Sequence, residues 1–457
     1  MSKRTIARRE FLKGIAGAAG TAVGLPCFVP AAALGAGGAP AASERLTVAC
    51  VGVGPQGTGV MRGFLGRPDA RVVAVCDVKS NVLADRRNRV NDHYKTTDTK
   101  AYADFREVMA RDDIDVVSVA TCDHWHVLAS LAAVKAGKDV YCEKPLGLSV
   151  EQDQALRKAV HRYDRRFQFG TQQRSGRNFR FACELARNGR LGKLHTINVW
   201  SPGSTQGGPT QVVDVPDWLD YERWLGPAPY KPYTKDRCSN KWWWFISDYA
   251  LGFIAGWGIH PIDIALWGGG DMLKGNIEVE GKGVWPTVEG VCDTAMNWDV
   301  KLKYPTGVTI HFTGAPYPDE WKKRYGRTTS HGTAFEGSDG WVHVDRGGIN
   351  AHPKELLNEQ FGPNDIRLIE SNHHQGNLLD CAKSREQTVS NIDEAVRGDI
   401  LCHISDIAIR LEQKLVWDQK AEKFVDNDAA NRRLDRWMDF KSHQVFPSYV
   451  KVSADDI

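Results

Sequence analysis

Apolar residues recur along this chain in two regimes, and the change between them divides it. Leu46 to Val53, Arg71 to Cys76, Asp115 to Ala120 and Asp139 to Cys142 are short runs rich in β-branched residues. Each is long enough for a strand buried on both faces and too short for a helix. Stretches with helical spacing lie between them, one running through Leu65 and another from His126 to Ala136. Strands alternating with helices predict a parallel, doubly wound α/β sheet. From Lys193 the pattern changes. Lys193 to Trp200, Asp293 to Tyr304, Val308 to Thr313, Thr333 to Glu336 and Gly340 to Val344 read as strands, several joined by glycine-containing turns. Two helices follow, His373 to Ser384 and Asp393 to Leu415, the second with Ile400, Ile404, Ile407, Ala408 and Leu411 at core-facing spacing. The polar tail from Asp418 is expected to pack along the surface.

The first 42 residues have a different character. Thr5-Ile6-Ala7-Arg8-Arg9-Glu10-Phe11-Leu12-Lys13 is a basic start carrying paired arginines, followed by a weakly apolar Gly/Ala run and Ala-rich candidate cleavage sites ending near Ser43. This is the form of a twin-arginine signal, which sends an already folded protein out of the cytoplasm through the twin-arginine export machinery. A membrane anchor is the weaker reading, because Gly14 to Pro30 is broken by glycines and prolines and falls short of the roughly 20 continuous apolar residues a span needs. The chain is thereby read as 1–42 export signal, 43–170 nucleotide domain, 171–417 substrate and oligomerisation domain, and 418–457 tail.

Size and charge narrow the class. At 457 residues there is material for two full cores, and a formal net charge of +3 gives no basis for a nucleic-acid partner. Ten cysteines are present without a CxxC pair, and Cys50, Cys76, Cys122 and Cys142 fall in or beside apolar runs, where they read as small hydrophobes. Fifteen tryptophans are many for this length. Such a surplus is compatible with sugar stacking, although core packing accounts for most tryptophans.

The candidate chemistry begins at Gly52-Val53-Gly54-Pro55-Gln56-Gly57, which follows a predicted strand and opens a predicted helix. Asp77 ends the next strand. In that context a GxGxxG turn binds a dinucleotide: Gly52 permits the tight turn, Gly54 lets the backbone approach the pyrophosphate, and Gly57 permits close helix packing, while the helix N-terminus offers N–H groups to the anion. Asp77 is expected to accept from the ribose hydroxyls and to repel a 2′-phosphate. NAD is therefore favoured over NADP, with Lys79 the residue that tempers the choice. Ligands of such sheets sit at the strand C-termini, where Thr121, His124 and His126 lie in one turn and Glu143-Lys144-Pro145 in the next.

Glu143-Lys144-Pro145, the glycine fingerprint, and Gly256-Trp257-Gly258-Ile259-His260-Pro261-Ile262-Asp263 together resemble the glucose-fructose oxidoreductase / inositol dehydrogenase (Gfo/Idh/MocA) family. The resemblance runs from about Leu46 to about Trp417. It implies a Rossmann domain followed by an α/β domain built on a large, mostly antiparallel sheet, with the site in the cleft between them and Lys144 facing both nicotinamide and substrate. The cofactor contacts it implies are Gly52, Gly54, Pro55, Gln56, Gly57, Asp77, Thr121, His124, His126, Glu143 and Lys144. Subunits in this family often pair, so a homo-oligomer is expected.

A helical segment from Gly256 to Trp267 carries His260 and Asp263 on one face. His260 is expected to be the general base beside Lys144; taken without the lysine, it reads as an ordinary helix histidine. In the family's sugar dehydrogenases the residue four before this histidine is typically an aspartate, and here it is Gly256. Asp263 is the nearest catalytic candidate for that work, equally readable as a buried capping carboxylate, and Asp248 is a more distant one. Gly256 also clears space for a larger substrate. Gln172 and Arg174 follow the last nucleotide-domain strand and are expected to enter the cleft, a solvated loop being the alternative. Trp243, within Lys241-Trp242-Trp243-Trp244-Phe245, is read as a sugar-stacking or a core position. His373-His374 lacks companions at metal-ligand spacing, and no metal is expected.

The expected function is an exported NAD-dependent oxidoreductase acting by hydride transfer on a secondary hydroxyl of a sugar or glycoside. Beyond the cytoplasm no NAD pool replaces a reduced cofactor, so it is expected to be held tightly and recycled in place. A redox-neutral NAD-dependent glycoside hydrolase or lyase, and a non-catalytic sugar-binding protein, are the alternatives.

Overall fold

The computed structural model describes residues 40–326 and 329–436. The twin-arginine motif and the apolar run behind it lie outside the described residues. From Leu46 onward the chain forms one compact unit. Among the described residues no helix is long and apolar enough to cross a membrane, and the nine described cysteines are free thiols, eight of them buried.

The first sheet has six strands: β1 (Leu46–Val51), β2 (Ala70–Cys76), β3 (Lys100–Tyr102), β4 (Val116–Val119), β5 (Asp139–Cys142) and β6 (Phe167–Phe169). Their order is β3-β2-β1-β4-β5-β6, all pairs parallel. This is the doubly wound order, whose direction reverses between β1 and β4 and leaves a crevice at their C-terminal ends. All four residues of β4 and of β5 are buried, as expected for strands covered by helices on both faces.

The second sheet has nine strands. β7 (Leu194–Ser201), β8 (Ile277–Val284), β9 (Asn297–Lys303), β10 (Thr309–Gly314), β11 (Gly332–Gly337), β12 (Trp341–Asp345), β13 (Gly348–His352), β14 (Leu415–Asp418) and β15 (Lys423–Phe424) run in the order β13-β12-β11-β7-β10-β9-β8-β14-β15. Only the β7–β10 pair is parallel. The helix Ile392–Leu411 packs against β8 and also against the helix Val150–Arg162 of the first domain, so it joins the two halves. Ile404 and Ile409 on it are fully buried, each contributing about 1.5–3 kcal/mol of apolar burial.

Several elements differ from the sequence reading. The last long helix ends at Leu411, four residues short of the predicted end, where Glu412 turns left-handed at φ 51. Leu415 and Trp417 then point inward with period two as β14. The tail beyond Asp418 adds β15 to the sheet edge and buries Phe424, instead of only lying on the surface. The segment from Gly256 to Trp267 is two helices, Phe253–Gly256 and Ile259–Gly269. β8 escaped prediction because Gly281 and Gly283 break its β-branched run; a Cβ on Gly281 would come within 2.5 Å of the Asp299 carbonyl oxygen on β9.

Candidate active site

The crevice between β1 and β4 opens into a cavity that Gly54, Asp77, Thr121 and Lys144 line, open in part to solvent. Gly52 adopts φ +76 and a Cβ there would lie 2.6 Å from the Ala120 carbonyl; a Cβ on Gly57 would lie 1.9 Å from the Gly52 oxygen. Both glycines are therefore required for the turn to close against β4. A Cβ on Gly54 would meet nothing within 4 Å, and Gly54, Pro55 and Gln56 line the cavity. The turn thus has room for a pyrophosphate, at the N-terminus of the helix Pro55–Leu65. Asp77 faces the same cavity. Its oxygens accept from the backbone N–H groups of Val53 and Lys79, both at 2.9 Å, which fixes the carboxylate while leaving lone pairs for ribose hydroxyls. The residues present fit a dinucleotide.

At the end of β5, Lys144 donates from Nζ to the carbonyl oxygen of Gly256 at 2.9 Å. That contact ties the lysine to the short helix just before His260. Burial lowers the His260 pKa well below 6.5, and the positive charges of Lys144 and Arg346 add to the effect. The imidazole is consequently neutral, 3% exposed, and has no hydrogen-bond partner at Nδ1. The Trp257 ring packs against it at 5.6 Å, and the guanidinium of Arg346 lies over that indole at 4.7 Å.

The loop that carries the lysine is held from several sides. Glu143 Oε1 accepts from Gln172 Nε2 at 2.7 Å, Gln56 Nε2 at 2.9 Å and the Tyr141 hydroxyl at 3.1 Å. His126 Nδ1 lies 2.6 Å from the Pro145 carbonyl oxygen, a donor geometry that fixes the residue after the lysine. Burial pushes His126 down to about 4, so it is a neutral ring. Asp123, the first residue of the helix Asp123–Lys135, also lines the cavity. Its Oδ2 has no partner, and burial lifts its pKa well above the ordinary carboxylate range despite the nearby Lys144. A buried carboxyl whose pKa is raised, near a lysine, is suited to proton transfer. Sequence reasoning passed over it because its burial and its nearness to Lys144 are tertiary facts.

Other expected site residues are placed differently. Arg174 and Asp263 meet each other instead of the cleft: guanidinium nitrogens lie 2.7, 2.8 and 3.0 Å from the two carboxylate oxygens. Their side chains are 2% and 1% exposed, and Glu394 completes the group at 2.9 Å. Neither lines the nucleotide cavity, and Asp263 turns to Arg174 instead of His260. Gln172 braces Glu143, as described. His124 binds the Trp224 carbonyl oxygen through Nε2 at 2.9 Å and lies behind the cavity wall. Thr121 and Trp243 line the cavity, Trp243 within an aromatic cluster that includes Trp224 and Tyr249. Asp248 is raised above the ordinary carboxylate range by burial and does not line the cavity.

The chain between β7 and Phe253 forms a strap whose course was not anticipated, although its Trp-rich stretch was. It docks on the nucleotide domain through a bridge between Lys79 and Leu219, a bond from Asp220 N–H to the Val78 carbonyl at 3.0 Å, and one from Lys79 Nζ to the Cys238 carbonyl at 2.9 Å. Trp125 Nε1 donates to the Trp224 carbonyl at 3.1 Å. Arg223, Trp224, Asn240 and Trp244 of the strap form cavity wall beside Asp77.

Residues 46–171 match the oxidoreductase family, NAD-binding Rossmann fold, and residues 198–443 match its C-terminal alpha/beta domain. A Saccharopolyspora erythraea protein named glycosyl hydrolase family 109 protein is 34% identical over 114 residues, 24% of this chain and 25% of its own length. The myo-inositol 2-dehydrogenase of Thermotoga maritima is 28% identical over 156 residues, 34% of this chain and 45% of its own length. The chain thus spans less than half of each of these curated relatives. The solved aldose-aldose oxidoreductase of Caulobacter crescentus, complexed with glycerol, shares the fold at TM-score 0.59 and 19% identity, over 82% of this chain and 99% of its own. The two matched domains, the six-stranded nucleotide sheet and the nine-stranded partner sheet agree: the chain belongs to the Gfo/Idh/MocA family of NAD-binding oxidoreductases.

Proposed function

We propose that this protein is an exported, NAD-dependent oxidoreductase that acts on a secondary hydroxyl of a sugar or glycoside and keeps its cofactor through the whole turnover. The observation that carries this reading is the tie between Lys144, which lines the nucleotide cavity, and the Gly256 carbonyl oxygen shortly before His260, whose imidazole is kept neutral by burial and by the charge of the lysine.

Lys144 donates a hydrogen bond to the reacting oxygen and holds it in line. His260 takes the hydroxyl proton through its neutral ring, and Asp123 stores a proton beside Lys144 for the return step. Glu143, braced by Gln56, Gln172 and Tyr141, keeps the lysine loop in place. NAD, when bound at Gly54 and Asp77, supplies the hydride acceptor and donor. Asp77 favours NAD over NADP, because a 2′-phosphate would meet its carboxylate, and Lys79 in the same cavity has its ammonium bonded to the Cys238 carbonyl of the strap.

The strap supports retention, since Trp224, Asn240 and Trp244 add wall to the cavity that Asp77 faces. A held cofactor has to be regenerated in the site. Either one sugar is oxidised and another reduced, or oxidation at one carbon enables elimination before the reducing equivalent returns. The second course is favoured by Gly256, where a Cβ would meet only Phe253 at 3.6 Å and the room suits a glycoside.

The test is native mass spectrometry of the mature protein followed by turnover on sugars and glycosides. Copurified NAD, little exchange during turnover and loss of activity in Lys144→Ala are expected. Cofactor-free protein that binds NAD weakly, or full turnover by Lys144→Ala, refutes the reading. Product analysis on a glycoside separates net oxidation from cleavage.

A further inference from the structure

A second cluster of chemically capable side chains lies apart from the hydride site. Asp153, on the helix Val150–Arg162, meets Asp399 and His403, one turn apart on the helix Ile392–Leu411. Their candidate ligand atoms all lie within 4.8 Å of one another. His403 Nε2 is 3.4 Å from Asp399 Oδ2 and 3.6 Å from Asp153 Oδ2, too far for hydrogen bonds. Both oxygens of Asp153, Oδ1 of Asp399 and Nε2 of His403 have no hydrogen-bond partner, although the two carboxylates are fully buried and His403 is 4% exposed. Among the described residues neither carboxylate is paired with a lysine or arginine. Two carboxylates and one imidazole in a dry interior need protons or a cation to offset their charge.

The spacing selects between these. A tetrahedral ion with bonds of about 2.1 Å sets its ligands about 3.4 Å apart, whereas a proton shared between nitrogen and oxygen draws them to about 2.7–2.9 Å. The two separations from His403, 3.4 and 3.6 Å, match the first. Nitrogen with carboxylate oxygen is a ligand set that zinc accepts. We propose that Asp153, Asp399 and His403 form a structural zinc site, with a water or the second oxygen of Asp153 as the fourth ligand.

Its position gives it a purpose. Asp399 Oδ2 accepts from the Gly147 N–H at 3.2 Å, and a Cβ on Gly147 would come within 2.5 Å of Asp153 Oδ1. The loop from Lys144 to Gly147 therefore rests on the cluster. The ion would clamp a helix of the nucleotide domain to a helix of the second domain directly beneath the lysine loop. Binding zinc displaces to solvent the protons that the cluster holds without it, with no change of oxidation state.

The full-length protein, produced with added zinc sulfate and passed through metal-free gel filtration, is expected to carry about one zinc per chain, and the Asp399→Asn and His403→Gln variants less than a tenth of that. Stripping the wild-type protein with dipicolinate should lower its Tm by several degrees, and zinc sulfate should restore it with release of protons to an unbuffered indicator. Wild-type protein lacking zinc after this treatment, or zinc retained equally by both variants, overturns the proposal and leaves a proton-sharing cluster. If the variants do not fold, the wild-type Tm decides: no response to dipicolinate and zinc overturns it.

Discussion

Replacing Asp263 by asparagine separates a catalytic from a structural carboxylate. The side chain makes three contacts of 2.7–3.0 Å with Arg174, and both groups are nearly inaccessible to water. Breaking a buried pair by removing one partner costs about 3–5 kcal/mol, because the other charge is stranded. Asp263→Asn keeps the volume and leaves Arg174 bonded to Glu394 at 2.9 Å and to the Val389 carbonyl at 3.2 Å, so the low end, about 3 kcal/mol, applies. Arg174→Met leaves Asp263 without its only cationic partner among the described residues and belongs at the upper end, about 4–5 kcal/mol. The double variant strands no charge from the pair itself, so it should be more stable than the sum of the two singles by about 2–3 kcal/mol. Urea unfolding followed by tryptophan fluorescence measures all three, and kcat is compared per folded molecule. A loss below about 1 kcal/mol in Asp263→Asn, joined to a fall in kcat of about 100-fold or more, would show that Asp263 acts in proton transfer and refute the structural assignment.

Three further outcomes follow from the site. His260 is held neutral by burial and by Lys144, so its depressed pKa moves protonation to lower pH: kcat/KM should stay level down through the ordinary imidazole value of 6.5 and decline only below it, and an acid limb at or above 6.5 would contradict this. Asp123→Asn removes a buried carboxyl of raised pKa near Lys144 with little change in shape and should lower kcat about 10- to 100-fold without releasing NAD, so unchanged turnover removes Asp123 from the mechanism. A Cβ at Gly256 meets nothing closer than Phe253 at 3.6 Å, so Gly256→Asp should fold while KM for a glycoside rises about tenfold against that for the free sugar; equal effects on both would mean that Gly256 does not provide the room.

Local features were the ones legible in the chain. The glycine turn, the acidic end of β2 and the alternation of strand and helix are fixed by neighbours within some thirty residues of one another, where spacing and backbone sterics leave few choices. Lys144 and His260 stood out because each belongs to a short motif. The tertiary structure alone decided the partners of buried charges. Arg174 and Asp263 each resembled a cleft residue when read singly, and burial together made them an ion pair. Asp123, Asp153, Asp399 and His403 carry no signal in their surroundings, because desolvation and the spacing of distant side chains exist only once the helices pack. The strap over the nucleotide cavity was illegible for a related reason: its Trp-rich, irregular segment has no periodicity, and its course is set by where Lys79, Val78 and Trp125 present groups for it to bond.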